Sequence, residues 1–356
     1  MAAVKPLKDI AIIGYAQARN ERQAQATEVQ FLFPVINEAL EMSKIPRREL
    51  GFTCAGSCDY LSGQTFAFVM NLEAVGAWPP ISESHVEMDG AWALYEAWVR
   101  LQHEDIETAL VFGSGKSSPG KPAEIYPLQM DPYTLTPLGI DPVSMAAIQA
   151  RALLDAGKVT ERQMAEIAAR SRRDAMKNPH AQVTGEFDVD ELLAQPYVNA
   201  PLRTHDLPPI SDGATAVILA TAEKARQVCE RPAWIRGLDH RIEAHQPGMR
   251  DLTVSTSTKL AGQAAGVGDA PIEVAELSAT FSHQEPVLKE ALGLGDDVAI
   301  NPSGGPLAGN PVMAVGLARI AEAAKQIVEG GHTRTVGHAT SGMCLQQNLV
   351  CVLEGD

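Results

Sequence analysis

Basic residues are in short supply in this chain. Its 29 Lys and Arg stand against 44 Asp and Glu, a formal net charge of −15. That balance speaks against a nucleic-acid partner, because binding a phosphate backbone needs a basic surface. Long apolar runs are missing as well. No stretch approaches the ~18 consecutive apolar residues of a membrane span. The opening Met1-Ala-Ala-Val-Lys-Pro-Leu-Lys8 has no apolar core of the secretory kind before it enters a strand, so the expected compartment is the cytoplasm. The five cysteines, Cys54, Cys58, Cys229, Cys344 and Cys351, show no metal-ligand spacing. No metal is therefore expected, and the odd count suits reduced thiols. Aromatics make up only 5% of a chain rich in Ala, Gly and Met, a mixture that implies a roomy pocket without naming its occupant.

What is present reads as an α/β protein. Asp9–Gly14, Gly51–Gly56, Ser84–Glu87, Ala109–Gly113, Ala214–Ala220, Arg231–Ile235, Glu273–Leu277, Val298–Ile300 and Leu349–Leu353 are short, mostly apolar runs, as expected of strands covered by helices on both faces. Helical spacing marks Thr27–Met42, Gly90–Leu101, Val143–Ala156, Glu161–Met176 and Val312–Val328. Thr160 and Gln163 fit a capping box. Prolines punctuate the start of an apparent insertion at about 116–206. The order of elements before and after it suggests an internal duplication, with halves at 1–225 and 226–356. The cluster Gly113-Ser-Gly-Lys116 lacks the spacer of a phosphate-binding loop, so no nucleotide site is expected.

The segment with the strongest character is Asn301-Pro-Ser-Gly-Gly-Pro-Leu-Ala-Gly-Asn-Pro311, set between an apolar run and a long helix. Small residues there let backbone N–H groups approach a ligand, and the prolines stiffen the turn. A tight connection with no ligand is the plain alternative.

The wording of that loop resembles the C-terminal active-site loop of thiolases, especially those of the sterol-carrier-protein type. Pro201-Leu-Arg, Asp206 and Ser211-Asp-Gly-Ala-Thr-Ala216 are similar to a second thiolase pattern. Thr160 to Pro179 resembles the loop-domain helices of the same type. Together these segments extend over nearly the whole chain. The resemblance implies the five-layered αβαβα fold built from two duplicated halves, usually dimeric, with coenzyme A thioesters as substrates and no other cofactor.

At the positions where thiolases carry their chemistry, the letters depart from the pattern. The nucleophilic cysteine, between a short strand and a buried helix, falls on Gly90, or on Asp89 in a register one residue earlier. The His/Asn-x-x-Phe motif becomes Ser278-Ala-Thr-Phe281, and Gly-His-Pro becomes Gly309-Asn310-Pro311. The last motif lies in His338–Asn348, read as a glycine-containing loop that His338 opens, with its cysteine near Gly342 and Cys344 two residues away. The resemblance therefore points away from thiolysis and toward thiolase-like proteins without the cysteine, similar to steroid side-chain aldolases, which cleave β-hydroxyacyl-CoA by a retro-aldol step and work with an OB-fold partner. On that reading His338, His283, Asp89 and Cys344 are the acid/base candidates. Gly90, Ser278, Ser303, Gly304, Gly305, Asn310 and Gly342 are the substrate-binding candidates. Tyr126 and Tyr133 are the tyrosines of the insertion that could reach the site. Asp89 reads equally as a helix N-cap. Two alternatives stay open: a non-catalytic subunit scaffolding a homodimer, heterodimer or OB-fold complex, and a thiolase using a displaced thiol such as Cys344.

Overall fold

The computed structural model describes residues 7–63 and 65–356. Most of the opening segment discussed above, residues 1–6, lies outside them. Among the described residues, ten strands join in one sheet. They are β1 (Ile10–Gln17), β2 (Phe52–Gly56), β3 (Glu83–Val86), β4 (Thr108–Lys116), β5 (Asp212–Thr221), β6 (Ala233–Ile242), β7 (Val274–Glu276), β8 (Ala299–Ile300), β9 (Arg334–Ser341) and β10 (Gln347–Glu354). Their order is β8-β7-β9-β10-β6-β1-β5-β4-β2-β3. In the first half β3, β2 and β4 are parallel, while β5 and β1 continue antiparallel. In the second half β8, β7, β9, β10 and β6 repeat that arrangement, and the halves meet where β1 pairs with β6.

The helices repeat as well. β1 is followed by α1 (Glu28–Ser43), β2 by α2 (Ala67–Val75) and β3 by α3 (Gly90–Leu101). The insertion then supplies α4 (Pro142–Asp155) and α5 (Glu161–Asp174). In the second half β6, β7 and β8 are followed by α6 (Thr256–Ala264), α7 (Gln284–Leu292) and α8 (Val315–Val328). Strand alternation sorts the layers. Ile10, Ile12, Val111, Val217 and Leu349 face a central core with α3 and α8. Ala11, Ile13, Phe112 and Ile218 face an outer core with α1. Leu277, Leu288, Val336 and Val350 share a second outer core with residues of α4 and α6. The result is five layers.

The expected elements are present within a few residues, and the capping boxes at Thr27–Gln30 and Thr160–Gln163 are formed. One placement is corrected. The stretch that opens with His338 is not a loop: His338 lies inside β9, fully buried. Its strand was hidden by mixed polarity, Thr-Val-Gly-His-Ala-Thr, which is tolerated because α8 covers it. A Cβ on Gly337 would come within 2.7 Å of Ile320 Cα.

Candidate active site

The N-termini of α3 and α8 meet at the centre of the molecule, and Asp89 joins them. Its Oδ1 accepts the Ala91 and Leu317 N–H groups and its Oδ2 that of Gly316, each at 2.9 Å. Burial pushes this carboxyl above its usual range, opposed by those three donors. With both oxygens engaged, Asp89 caps two helices and presents no free oxygen for proton transfer in this arrangement. Gly90 donates its N–H to Met313 O at 2.9 Å. A Cβ on it would stand 2.9 Å from Leu317 Cδ2, so no side chain projects from this position into a cleft.

Ser278 and His338 come together. The Ser278 N–H donates to His338 Nδ1 at 3.2 Å, and His338 Nε2 reaches Asn348 Oδ1 at 3.0 Å. Asn348 Nδ2 in turn donates to Ser257 Oγ at 2.8 Å and Leu345 O at 2.8 Å. The pairing fixes a neutral tautomer with the proton on Nε2. Burial lowers the His338 pKa to about 4. The Ser278 hydroxyl is buried and has no partner among the described residues. His283 lies apart, at the start of α7, with Nε2 3.2 Å from Gln149 Oε1 and its pKa pushed by burial to about 3. Cys344 is buried, donates to Met145 O at 3.4 Å, and has its pKa raised to about 12. Gly342 sits exposed in the β9–β10 turn at φ 73°.

The loop after β8 turns inward. Ser303 donates its N–H and Oγ–H to Glu276 at 3.0 and 2.7 Å. Arg319 donates to the same carboxylate at 2.6 Å. The Gly304 N–H goes to Asn301 O and the Gly305 N–H to Ser303 Oγ. On the insertion's side, Ser171 Oγ donates to Gly304 O and Asn178 Nδ2 to Ser303 O. These donors are therefore taken up within the protein, and the loop fastens the insertion to the core. Asn310, half-buried, gives its N–H to Ser211 Oγ at 2.9 Å.

No family model matches the chain. An acetyl-CoA acetyltransferase of Methanothermobacter thermautotrophicus is 30% identical over 230 residues, 58% of this chain and 60% of the relative. A sterol carrier protein 2 of Gallus gallus is 30% identical over 213 residues, 52% of this chain and 39% of that protein. The chain thus spans from about two-fifths to three-fifths of the length of these relatives. A Bacillus anthracis acetyl-CoA acetyltransferase overlays with a TM-score of 0.79 at 14% identity, covering 99% of this chain and all of its own. The fold is thiolase-like. A structure described as an Ltp2-ChsH2(DUF35) aldolase overlays with a TM-score of 0.81 at 19% identity, covering 98% of each chain.

In this thiolase-like fold the slot between short strand and buried helix is the β3–α3 connection, residues 87–89. Gly90 is already helical. Met88 packs on the central core, and Asp89 is the cap. Glu87, which the sequence reading did not single out, is exposed, with Oε1 2.6 Å from the Asp59 N–H. The Cys58 thiol lies near this carboxylate; burial first, and the charge of Glu87 with it, push the thiol's pKa up. Tyr126 lies near Cys58, its pKa raised by burial to about 12. Tyr133 is 88% exposed. A cavity of about 10 Å³, room for one water, is lined by Cys58, Leu61, Ser114, Lys116 and Met313. The sequence reading put Glu87 at the end of the strand run Ser84–Glu87; the strand ends at Val86, which leaves Glu87 as the first residue off the sheet.

Proposed function

We propose that this chain cleaves a carbon–carbon bond in a β-hydroxyacyl-CoA by a retro-aldol step and does not perform thiolysis. One observation carries the reading: the three-residue connection between β3 and α3 holds Glu87, Met88 and Asp89 and no thiol. Without a thiolate there is no acyl-enzyme. A carboxylate in its place would form a mixed anhydride with CoA as leaving group. The nearby Cys58 is a poor substitute, since the adjacent Glu87 opposes its ionisation.

A retro-aldol step needs only proton transfer and an enolate-stabilising site. A base takes the β-hydroxyl proton, the Cα–Cβ bond breaks, a ketone leaves, and its electron pair resides on the thioester enolate until Cα is protonated. The overlay with a protein described as an aldolase supports this reading, as an analogy of fold. An acyl chain bearing a steroid-like side chain, a dimer, and an OB-fold partner belong to the same proposal. The scaffold alternative is favoured by the burial of Ser278, His283 and His338.

The test is incubation of the purified chain, alone and with the proteins encoded beside it, with a β-hydroxyacyl-CoA carrying a tertiary alcohol. Release of a ketone and a shorter acyl-CoA is expected. Absence of turnover in every combination would overturn the retro-aldol reading and leave the scaffold.

A further inference from the structure

We propose that Glu87 is the acid/base residue for this reaction, an assignment that rests on the enolate reading above. Of the three side chains between β3 and α3, Asp89 has both oxygens on backbone N–H groups and Met88 is partly buried against the central core, so Glu87 is the exposed one of the three. Its carboxylate is oriented by the Asp59 N–H at 2.6 Å. One donor on a carboxylate with about four lone-pair sites leaves acceptor capacity for a substrate hydroxyl.

The surroundings point to a polar occupant. Cys58 borders the small cavity that Ser114 and Lys116 also line. Asn71 donates to Ser114 at 3.2 Å while its Oδ1 stays buried and unpartnered among the described residues. Ser57 Oγ, the hydroxyl preceding Cys58, is buried and unpartnered in the same way. Buried polar atoms of this kind are costly unless something satisfies them.

In the forward step a Glu87 oxygen takes the β-hydroxyl proton as that C–O bond becomes C=O and the Cα–Cβ bond breaks. The bonding pair moves to Cα as the thioester enolate. The proton then passes from Glu87 to Cα, which yields the shorter acyl-CoA and restores the carboxylate. The step requires no oxidant or reductant.

Deuterium exchange at Cα of a short acyl-CoA, followed by mass spectrometry, tests the assignment without a cleavable substrate. Ketone release is followed in parallel, with the full chain and its neighbour proteins. Glu87→Gln should slow both about 10²–10⁴-fold while unfolding at the wild-type temperature. Glu87→Asp should recover part of the rate, and Glu83→Gln, on the same strand, should leave it unchanged. A Glu87→Gln variant with wild-type exchange and cleavage overturns the assignment and leaves the retro-aldol reading intact. Exchange that depends on Glu87, with no ketone released, sinks the retro-aldol reading and leaves the assignment. A wild-type chain that does neither overturns both.

Discussion

The two halves share a strand order and differ in two of their joints. In the first, β3 reaches α3 through residues 87–89; in the second, β8 reaches α8 through residues 301–314. The short joint leaves a carboxylate, Glu87, at the surface beside a thiol. The long joint, rich in glycine and proline, turns its donors onto Glu276 and onto itself. The insertion shows the same inequality: β4 and β5 are joined by residues 117–211, whereas a turn of residues 342–346 joins β9 to β10. Small residues in a loop permit close approach, and the destination of their hydrogen bonds decides what approaches. Here it is α5 and the segment after it.

The largest effect is expected at the ion pair that holds the long joint. Arg319 and Glu276 are a buried pair, at 4% and 0% exposure. Arg319→Met should destabilise the fold by about 3–5 kcal/mol, as expected when one partner of a buried ion pair is removed. Urea unfolding measures this, and a loss below about 1 kcal/mol would mean that the long joint is held by something else.

Acid should act next, and on the second half. His338 and His283 have folded values near 4 and 3, below the ordinary 6.5. In that window the unfolded chain binds more protons than the folded one, so stability is full above about 6.5 and falls as pH drops toward 4 and then 3. For His338 the loss is on the order of 3 kcal/mol. His338→Gln should flatten the decline between pH 6.5 and 4; an unchanged slope would place the acid sensitivity elsewhere.

Packing between α3 and α8 comes third. Gly90→Ala places a methyl 2.9 Å from Leu317 Cδ2 and should cost about 1–3 kcal/mol. By contrast, Glu87→Cys should fold normally and react with iodoacetamide, which sharpens the assignment of the open slot to position 87. The smallest effect is expected at Thr160, whose capping box starts α5; Thr160→Ala should lower stability by about 1 kcal/mol.

The architecture was legible because runs such as Ala109–Gly113 and Leu349–Leu353 are apolar enough to announce covered strands, and Thr160 with Gln163 marks a helix start. β9 was not, since a buried His, a Gly and three Thr or Ser erase the apolar signal in a strand whose polar groups find partners. The site was harder still. Between a strand and a helix, three neighbouring residues can cap, pack or face solvent, and only the backbone direction separates those fates. The resemblance pointed to Asp89 and Gly90, yet one is enclosed by N–H groups and the other by Leu317. Glu87 is one acid among 44 Asp and Glu, with no neighbour in sequence to mark it. Its companion Cys58 lies 29 positions earlier and meets it only because β2 and β3 run side by side.

Asp89 also bridges the two halves. It belongs to the first half, yet two of its three hydrogen bonds go to Gly316 and Leu317 of the second, and the neighbouring Gly90 N–H goes to Met313. The halves are therefore riveted at their shared centre, and neither carries a complete interior of its own. A chain cut near residue 226 would behave as two pieces of one object: each alone would expose the inner faces of α3 or α8 and aggregate, and the pair, made together, would reassemble around that single carboxylate.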